Sequence, residues 1–194
     1  MQMRKALIIA AAALALLGIS REAGAQRLAV KTNAFGWLSA NPDMGLELVT
    51  GEKTSVSLSV AGHPGRWTPG YGLFVLRPEF RYWFNGRPLT REYVGVGAFA
   101  TSYDIAIPER QGQANVFRGD GLALGLTGGY VFSLGKRLSF ELGGGTGLLL
   151  FRQKQYFDTD SYEAYFVEER SKSNTWGYKL FPVKLDATLI YIIR

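Results

Sequence analysis

Ser55-Val56-Ser57-Leu58-Ser59-Val60 alternates small polar and branched apolar residues without a break. Successive side chains of a β-strand point to opposite faces, so the three serines line one face and Val56, Leu58 and Val60 the other. Working outward, the same period of two returns along the chain. Met44, Leu46 and Leu48 oppose Gly45 and Glu47, and Phe74, Leu76, Phe80, Tyr82 and Phe84 oppose Arg77, Glu79 and Arg81. Leu122, Leu124 and Leu126, then Leu138, Phe140 and Leu142, then Val183, Leu185, Leu189 and Tyr191 continue one apolar band. The pattern predicts eight strands, at 28–36, 43–50, 54–61, 71–84, 92–103, 119–133, 138–152 and 178–193, with no helical period after the N-terminal segment.

The connections alternate between short turns (51–53, 85–91, 134–137) and longer segments (62–70, 104–118, 153–177). An up-and-down meander with both termini on one side produces this asymmetry. The predicted fold class is all-β: an eight-stranded antiparallel up-and-down transmembrane β-barrel.

The N-terminus reads as a leader. Arg4 and Lys5 precede an apolar run from Ala6 to Ile19, and Ala23-Gly24-Ala25 supplies the small residues of a signal-peptidase site. The run is shorter than the roughly 20 residues of a spanning helix. The expected organisation is therefore a signal peptide at 1–25 and one barrel at 26–194. Loss of Arg4, Lys5, Arg21 and Glu22 lowers the formal charge from +6 to +4, and no nucleic-acid partner is expected. With no Cys and a single His, thiolate catalysis, Cys-based zinc and multi-histidine metal sites are excluded, and no cofactor is expected.

Alternation alone leaves open whether the apolar band faces a core or a bilayer. The glycines point to the bilayer. Gly143, Gly145 and Gly147 share the face of Glu141, and Gly125 and Gly129 lie opposite the leucines. On a solvated face they would weaken the strands and pack nothing. Inside an eight-stranded barrel, whose lumen side chains just fill, they make room for larger neighbours. The polar face is read as the inside, and Tyr82, Trp83, Phe84, Tyr130, Phe132 and Tyr191 as an aromatic girdle at the periplasmic interface.

Charges on strands within a hydrocarbon zone must then point inward and pair, since a lipid-facing charge near the midplane costs roughly 2–4 kcal/mol. Counting from the strand ends places Lys31, Glu47, Glu79, Arg81 and Glu141 at one lower level, with Arg77, Lys184 and Asp186 higher. A plug of salt bridges accounts for all eight; Glu79 and Glu141 as an acid and base pair is the functional alternative.

Lys31-Thr32-Asn33, Asn41 leading to Gly45-Leu46-Glu47, Arg77-Pro78-Glu79-Phe80-Arg81-Tyr82-Trp83-Phe84, Gly119-Asp120-Gly121 with Gly129-Tyr130, Phe140-Glu141 and Pro182-Val183-Lys184 form an ordered set. The set resembles a Bacteroidota family of small outer-membrane barrels known as a domain of unknown function, some members of which are encoded beside fimbrial genes. The resemblance implies an outer-membrane location in a Gram-negative cell, both mature termini periplasmic, and an accessory role near surface fibres. It carries over no catalytic residues.

Among candidate sites, His63 lies in a Gly-His-Pro-Gly turn with no adjacent nucleophile motif. Asp158, Asp160 and Glu163 lack the spacing of a calcium loop. Arg66, Arg110, Arg118, Arg152, Lys154 and Lys179 stand near outer strand ends, where they could meet lipopolysaccharide phosphates. Tyr156, Phe157, Tyr162, Tyr165, Phe166 and Trp176 crowd the longest connection, either extending a hairpin or binding a surface-fibre or envelope protein. The expected function is a structural or accessory surface protein with a filled lumen, acting through outer loops and not as an enzyme. Alternatives are an outer-membrane lipid-modifying enzyme and a soluble periplasmic barrel binding an apolar ligand. The oligomeric state is left open.

Overall fold

The computed structural model describes residues 27–63, 70–108, 114–157 and 175–193. The expected leader, Arg66, Arg110, Asp158, Asp160, Tyr162, Glu163, Tyr165 and Phe166 lie outside them. Eight strands follow one another: β1 (Leu28–Asn33), β2 (Asp43–Val49), β3 (Thr54–His63), β4 (Tyr71–Trp83), β5 (Arg91–Pro108), β6 (Ala114–Ser133), β7 (Leu138–Phe157) and β8 (Thr175–Ile192). Each pairs antiparallel with the next, and β8 returns to β1 through Ala29 opposite Ile192 and Lys31 opposite Ile190, closing the sheet into a ring. The expected strand number, order and direction hold.

The strand ends differ from expectation in two ways. β3 and β5 to β8 run further toward the loop end, to His63, Pro108, Ala114, Phe157 and Thr175. There the outward positions become polar, as in the row Asp104, Arg118, Lys154, so the hydrophobic alternation ends while the backbone ladder continues. β1 is shorter and stops at Asn33, whose side chain accepts a hydrogen bond from the Phe35 backbone N–H and caps a single helical turn, α1 (Ala34–Leu38). Five residues are too few to carry a helical period.

Burial follows the serine face. Ser55 and Ser57 are buried and point into the ring, while Val60 on the opposite face is exposed. The interior is layered. At the turn end, Ala29, Trp83, Leu89, Tyr93, Val131 and Ile190 pack together. Leu89, in the turn between β4 and β5, adopts φ 70 to put its side chain there, a conformation costing a non-glycine residue on the order of 1–3 kcal/mol. A charged middle layer follows, and then a second apolar layer of Ala61, Val75, Phe99, Ala123, Leu149 and Val183. The buried charges are thus concentrated in the middle of the inside.

Trp83 is the clearest correction to the expected girdle. It shares the inward parity of Glu79 and Arg81 and is fully buried, whereas Tyr82, Phe84, Tyr130, Phe132 and Tyr191 point outward as expected. In β8 the register shifts between Gly145 and Thr146, which face Lys184 and Pro182, so Val183 is an extra residue. The bulge lets consecutive residues Val183 and Lys184 both bury inside the ring.

Candidate functional site: the buried charge cluster

Strand alternation aims Lys31, Glu47, Glu79, Arg81, Glu141 and Lys184 at one another across the ring. Lys31 Nζ lies 2.9 Å from Glu47 and 2.8 Å from Glu141. The Arg81 guanidinium reaches three carboxylates, Glu47 at 3.0 Å, Glu141 at 3.0 Å and Glu79 at 2.6 Å. Lys184 Nζ meets Glu79 at 2.9 Å, Glu141 at 3.0 Å and Asp186 at 3.3 Å. Every glutamate of the cluster therefore touches at least two cations, and the Glu47 and Glu141 side chains have no exposed surface.

Lys184 departs from its expected higher position. Strands cross the ring obliquely, so residues equally far from their turns are not level in space, and its long side chain descends from the β8 bulge to join the glutamates. Asp186 sits at the edge, accepting from Asn33 Nδ2 at 2.9 Å. Arg77 keeps its expected higher position but departs from the expected network: half-buried, it forms no ion pair or hydrogen bond with a described residue.

Neutral residues that the sequence reading did not assign to the network complete the cluster. Tyr93 Oη donates to Glu141 at 2.5 Å and accepts from Lys184 at 2.8 Å, and its ring lies 4.5 Å beneath the Arg81 guanidinium. Ser55 Oγ donates to Glu47 at 2.6 Å and accepts from Trp83 Nε1 at 2.9 Å, while Thr127 Oγ1 donates to Glu79 at 2.7 Å. No buried side-chain polar atom among the described residues lacks a hydrogen bond. The available signal was parity: Tyr93 and Ser55 occupy inward positions beside known charges. Each carboxylate oxygen of Glu47, Glu79 and Glu141 accepts at least one hydrogen bond, so the three side chains are held in place from several strands at once.

Glycine supplies the space. A Cβ on Gly143 would lie 2.8 Å from Tyr93 Oη and 3.1 Å from Lys184 Cε, whereas one on the next residue, Gly144, would meet nothing within 4 Å. Gly143→Val is therefore expected to cost about 1–3 kcal/mol, and Gly144→Val less than about 0.5 kcal/mol, measured as unfolding midpoints in urea. Equal midpoints would contradict the inward assignment.

Above the cluster lie two chambers. A polar one of about 40 Å³ is lined by Asp43, Ser57, Ser59, Arg77, Asp186 and Thr188 among others. A larger cavity of about 530 Å³ occupies the loop-side half, with Leu73, Val75, Phe99, Leu149, Phe151 and Phe181 on its wall, Arg77 and Lys184 at its inner end, and Tyr71, Tyr103, Gln153 and Lys179 further out. This cavity was not legible as such, because a polar interior was expected there.

The remaining candidates disperse. His63 is not a loop residue; it ends β3, buried, with Nδ1 3.1 Å from the Tyr71 carbonyl oxygen and its ring edge-on to Tyr71 at 4.7 Å. Its burial follows from the inward parity of Ser55, Ser57 and Ala61. Arg118 forms an exposed ion pair with Asp104. Arg152 and Lys154 are exposed on the outward face of β7, while Lys179 extends over the rings of Phe151 and Phe181 at 5.3 and 5.4 Å. Tyr156 and Phe157 are strand residues opposite Val116 and Asn115, and Trp176 is an exposed residue of β8 opposite Arg152. No group of three or more residues suited to holding a metal occurs among the described residues.

Fold and site together define a class: a closed eight-stranded antiparallel sheet whose interior is plugged by buried, mutually paired ions. The chain belongs to the family described as Protein of unknown function (DUF3575), whose model matches residues 10–193. No curated protein and no solved structure matches it.

Proposed function

We propose that the protein is a transmembrane β-barrel of the outer membrane of a Gram-negative bacterium of the Bacteroidota. In this reading residues 1–25 are a cleaved signal peptide, both mature termini are periplasmic, and the protein serves as a structural or accessory component of the cell surface, beside fimbriae, acting through its outer loops and without catalysis. The carrying observation is the outward apolar band. Leu122, Leu124 and Leu126 are all more than half exposed, while Ala123 and Thr127 on the inward face are buried. Met44 and Leu46 on β2, Phe74 and Phe80 on β4, Val94 and Val96 on β5, Leu142 and Leu148 on β7 and Leu185 and Leu189 on β8 carry the band around the ring. Soluble proteins rarely leave so continuous an apolar surface to water.

The height of the band supports the same reading. Leu122 to Phe132 spans roughly 33 Å along β6 at about 3.3 Å per residue, or about 25 Å across a membrane at the usual strand tilt of about 40°, the height of the apolar band in outer-membrane barrels. Tyr82 with Phe84 and Tyr130 with Phe132 form outward aromatic pairs at the turn end, and Trp176 and Tyr178 stand outward near the loop end. Arg118, Arg152 and Lys154 lie beside the latter, where lipopolysaccharide phosphates would meet them. The two filled lower layers speak against a porin.

The test is the mobility of the membrane-fraction protein on a detergent gel, boiled and unboiled, after carbonate washing. Retention in the membrane with a mobility change on boiling is expected. Release into the soluble fraction with a single mobility would overturn the reading.

A further inference from the structure

We propose that the loop-side cavity binds a long-chain fatty acid, with its carboxylate on the Arg77 guanidinium and its hydrocarbon chain directed toward the loop end. The inference rests on the cavity and not on the membrane reading. At about 530 Å³ the cavity lies within the range of about 300–1,000 Å³ usual for small-molecule sites. Leu73, Phe99, Leu149 and Phe181 give it an apolar wall. Three basic side chains line it, Arg77, Lys179 and Lys184, and no carboxylate among the described residues does. Apolar walls and cations without acids fit an anionic amphiphile.

The placement of the cations sets the direction of binding. Lys184 is already engaged by Glu79, Glu141 and Asp186. Arg77, also at the inner end, forms no ion pair or hydrogen bond with a described residue. Arg77 borders both chambers, and the carboxylate that influences it, Asp43 on the polar side, forms no ion pair with it and accepts hydrogen bonds from the Asn33 backbone N–H and the Thr32 hydroxyl. A chain entering tail first would set hydrocarbon against two cations, whereas a carboxylate entering first gives Arg77 a charge-assisted partner and leaves the chain against the aromatic and aliphatic wall. Lys179, further out, spreads over the rings of Phe151 and Phe181 and forms part of that wall.

The test uses the full folded protein in detergent solution with oleate labelled with ¹³C at its carboxyl carbon, followed by ¹³C NMR. A second, saturable carboxylate resonance is expected, distinct from micellar oleate and unchanged through the pH range in which micellar oleate titrates. Arg77→Gln is expected to weaken it roughly ten-fold or more. Leu73→Trp, which fills the cavity and leaves Arg77 in place, is expected to abolish it, and Lys154→Gln, which removes an exposed cation on the outward face of β7 away from the cavity, to keep it. Absence of the second resonance in the wild-type protein, its survival in Leu73→Trp, its undiminished strength in Arg77→Gln, or its loss in Lys154→Gln would each overturn the proposal. None of these outcomes depends on the carbonate wash, so the site and the membrane reading fail separately.

Discussion

An Arg81→Leu variant is expected to lose on the order of 3–5 kcal/mol of stability, the cost of removing one partner from a buried ion pair. Arg81 is almost fully buried and is the one cation of the described cluster in contact with Glu47, Glu79 and Glu141 at once. Leucine fills part of the volume but leaves three carboxylates facing two lysines. Urea unfolding of the detergent-solubilised protein measures the loss, with Arg118→Leu as the comparison. That exposed pair with Asp104 is worth about 0–1 kcal/mol. Equal midpoints for the two variants would show that the cluster contributes no more than a surface pair. Arg81→Lys should fall between them, because one ammonium cannot reproduce the planar fork that spans Glu79 and the other two carboxylates.

Trp83→Ala carries the second large expected effect, a loss of about 3–5 kcal/mol. Its indole packs 5.0 Å from the Tyr93 ring, and its Nε1–H donates to Ser55 Oγ, which in turn donates to Glu47. Alanine opens the turn-side layer and breaks a hydrogen-bonded chain leading into the charge cluster. Phe84→Ala, one residue away on the outward face, removes a half-exposed ring and is expected to cost distinctly less. Similar losses for both, measured by heat- or urea-induced unfolding, would mean that Trp83 does not fill the lumen.

These two variants mark how far the sequence could be read. Arg81 was identifiable because a charge on a strand flanked by outward Phe80 and Tyr82 has one place to go. Trp83 has the same parity as Arg81, yet its apolar character grouped it with Tyr82 and Phe84. Side-chain type and strand parity conflicted there, and parity prevailed because a closed ring leaves no third direction for a side chain. Tyr93 and Thr127 escaped notice for a related reason. A lone neutral polar residue on a strand signals nothing until its partners come from other strands, as Glu141 does for Tyr93 and Glu79 for Thr127.

Period-two alternation, the alternating connection lengths and the one-sided glycines were determined by the sequence alone: eight antiparallel strands in order, with the serine face inward. These are local properties, set by the direction of successive Cβ atoms and by turn chemistry. The tertiary structure decided which inward residues meet. Closure of β8 onto β1 and the oblique course of the strands bring Lys184 down to Glu79 and Glu141 and leave Arg77 beside the cavity. The apolar cavity above the charges is also a tertiary fact. Its walls come from residues as distant in the chain as Leu73 and Phe181, and only the register of the closed ring sets them facing one another.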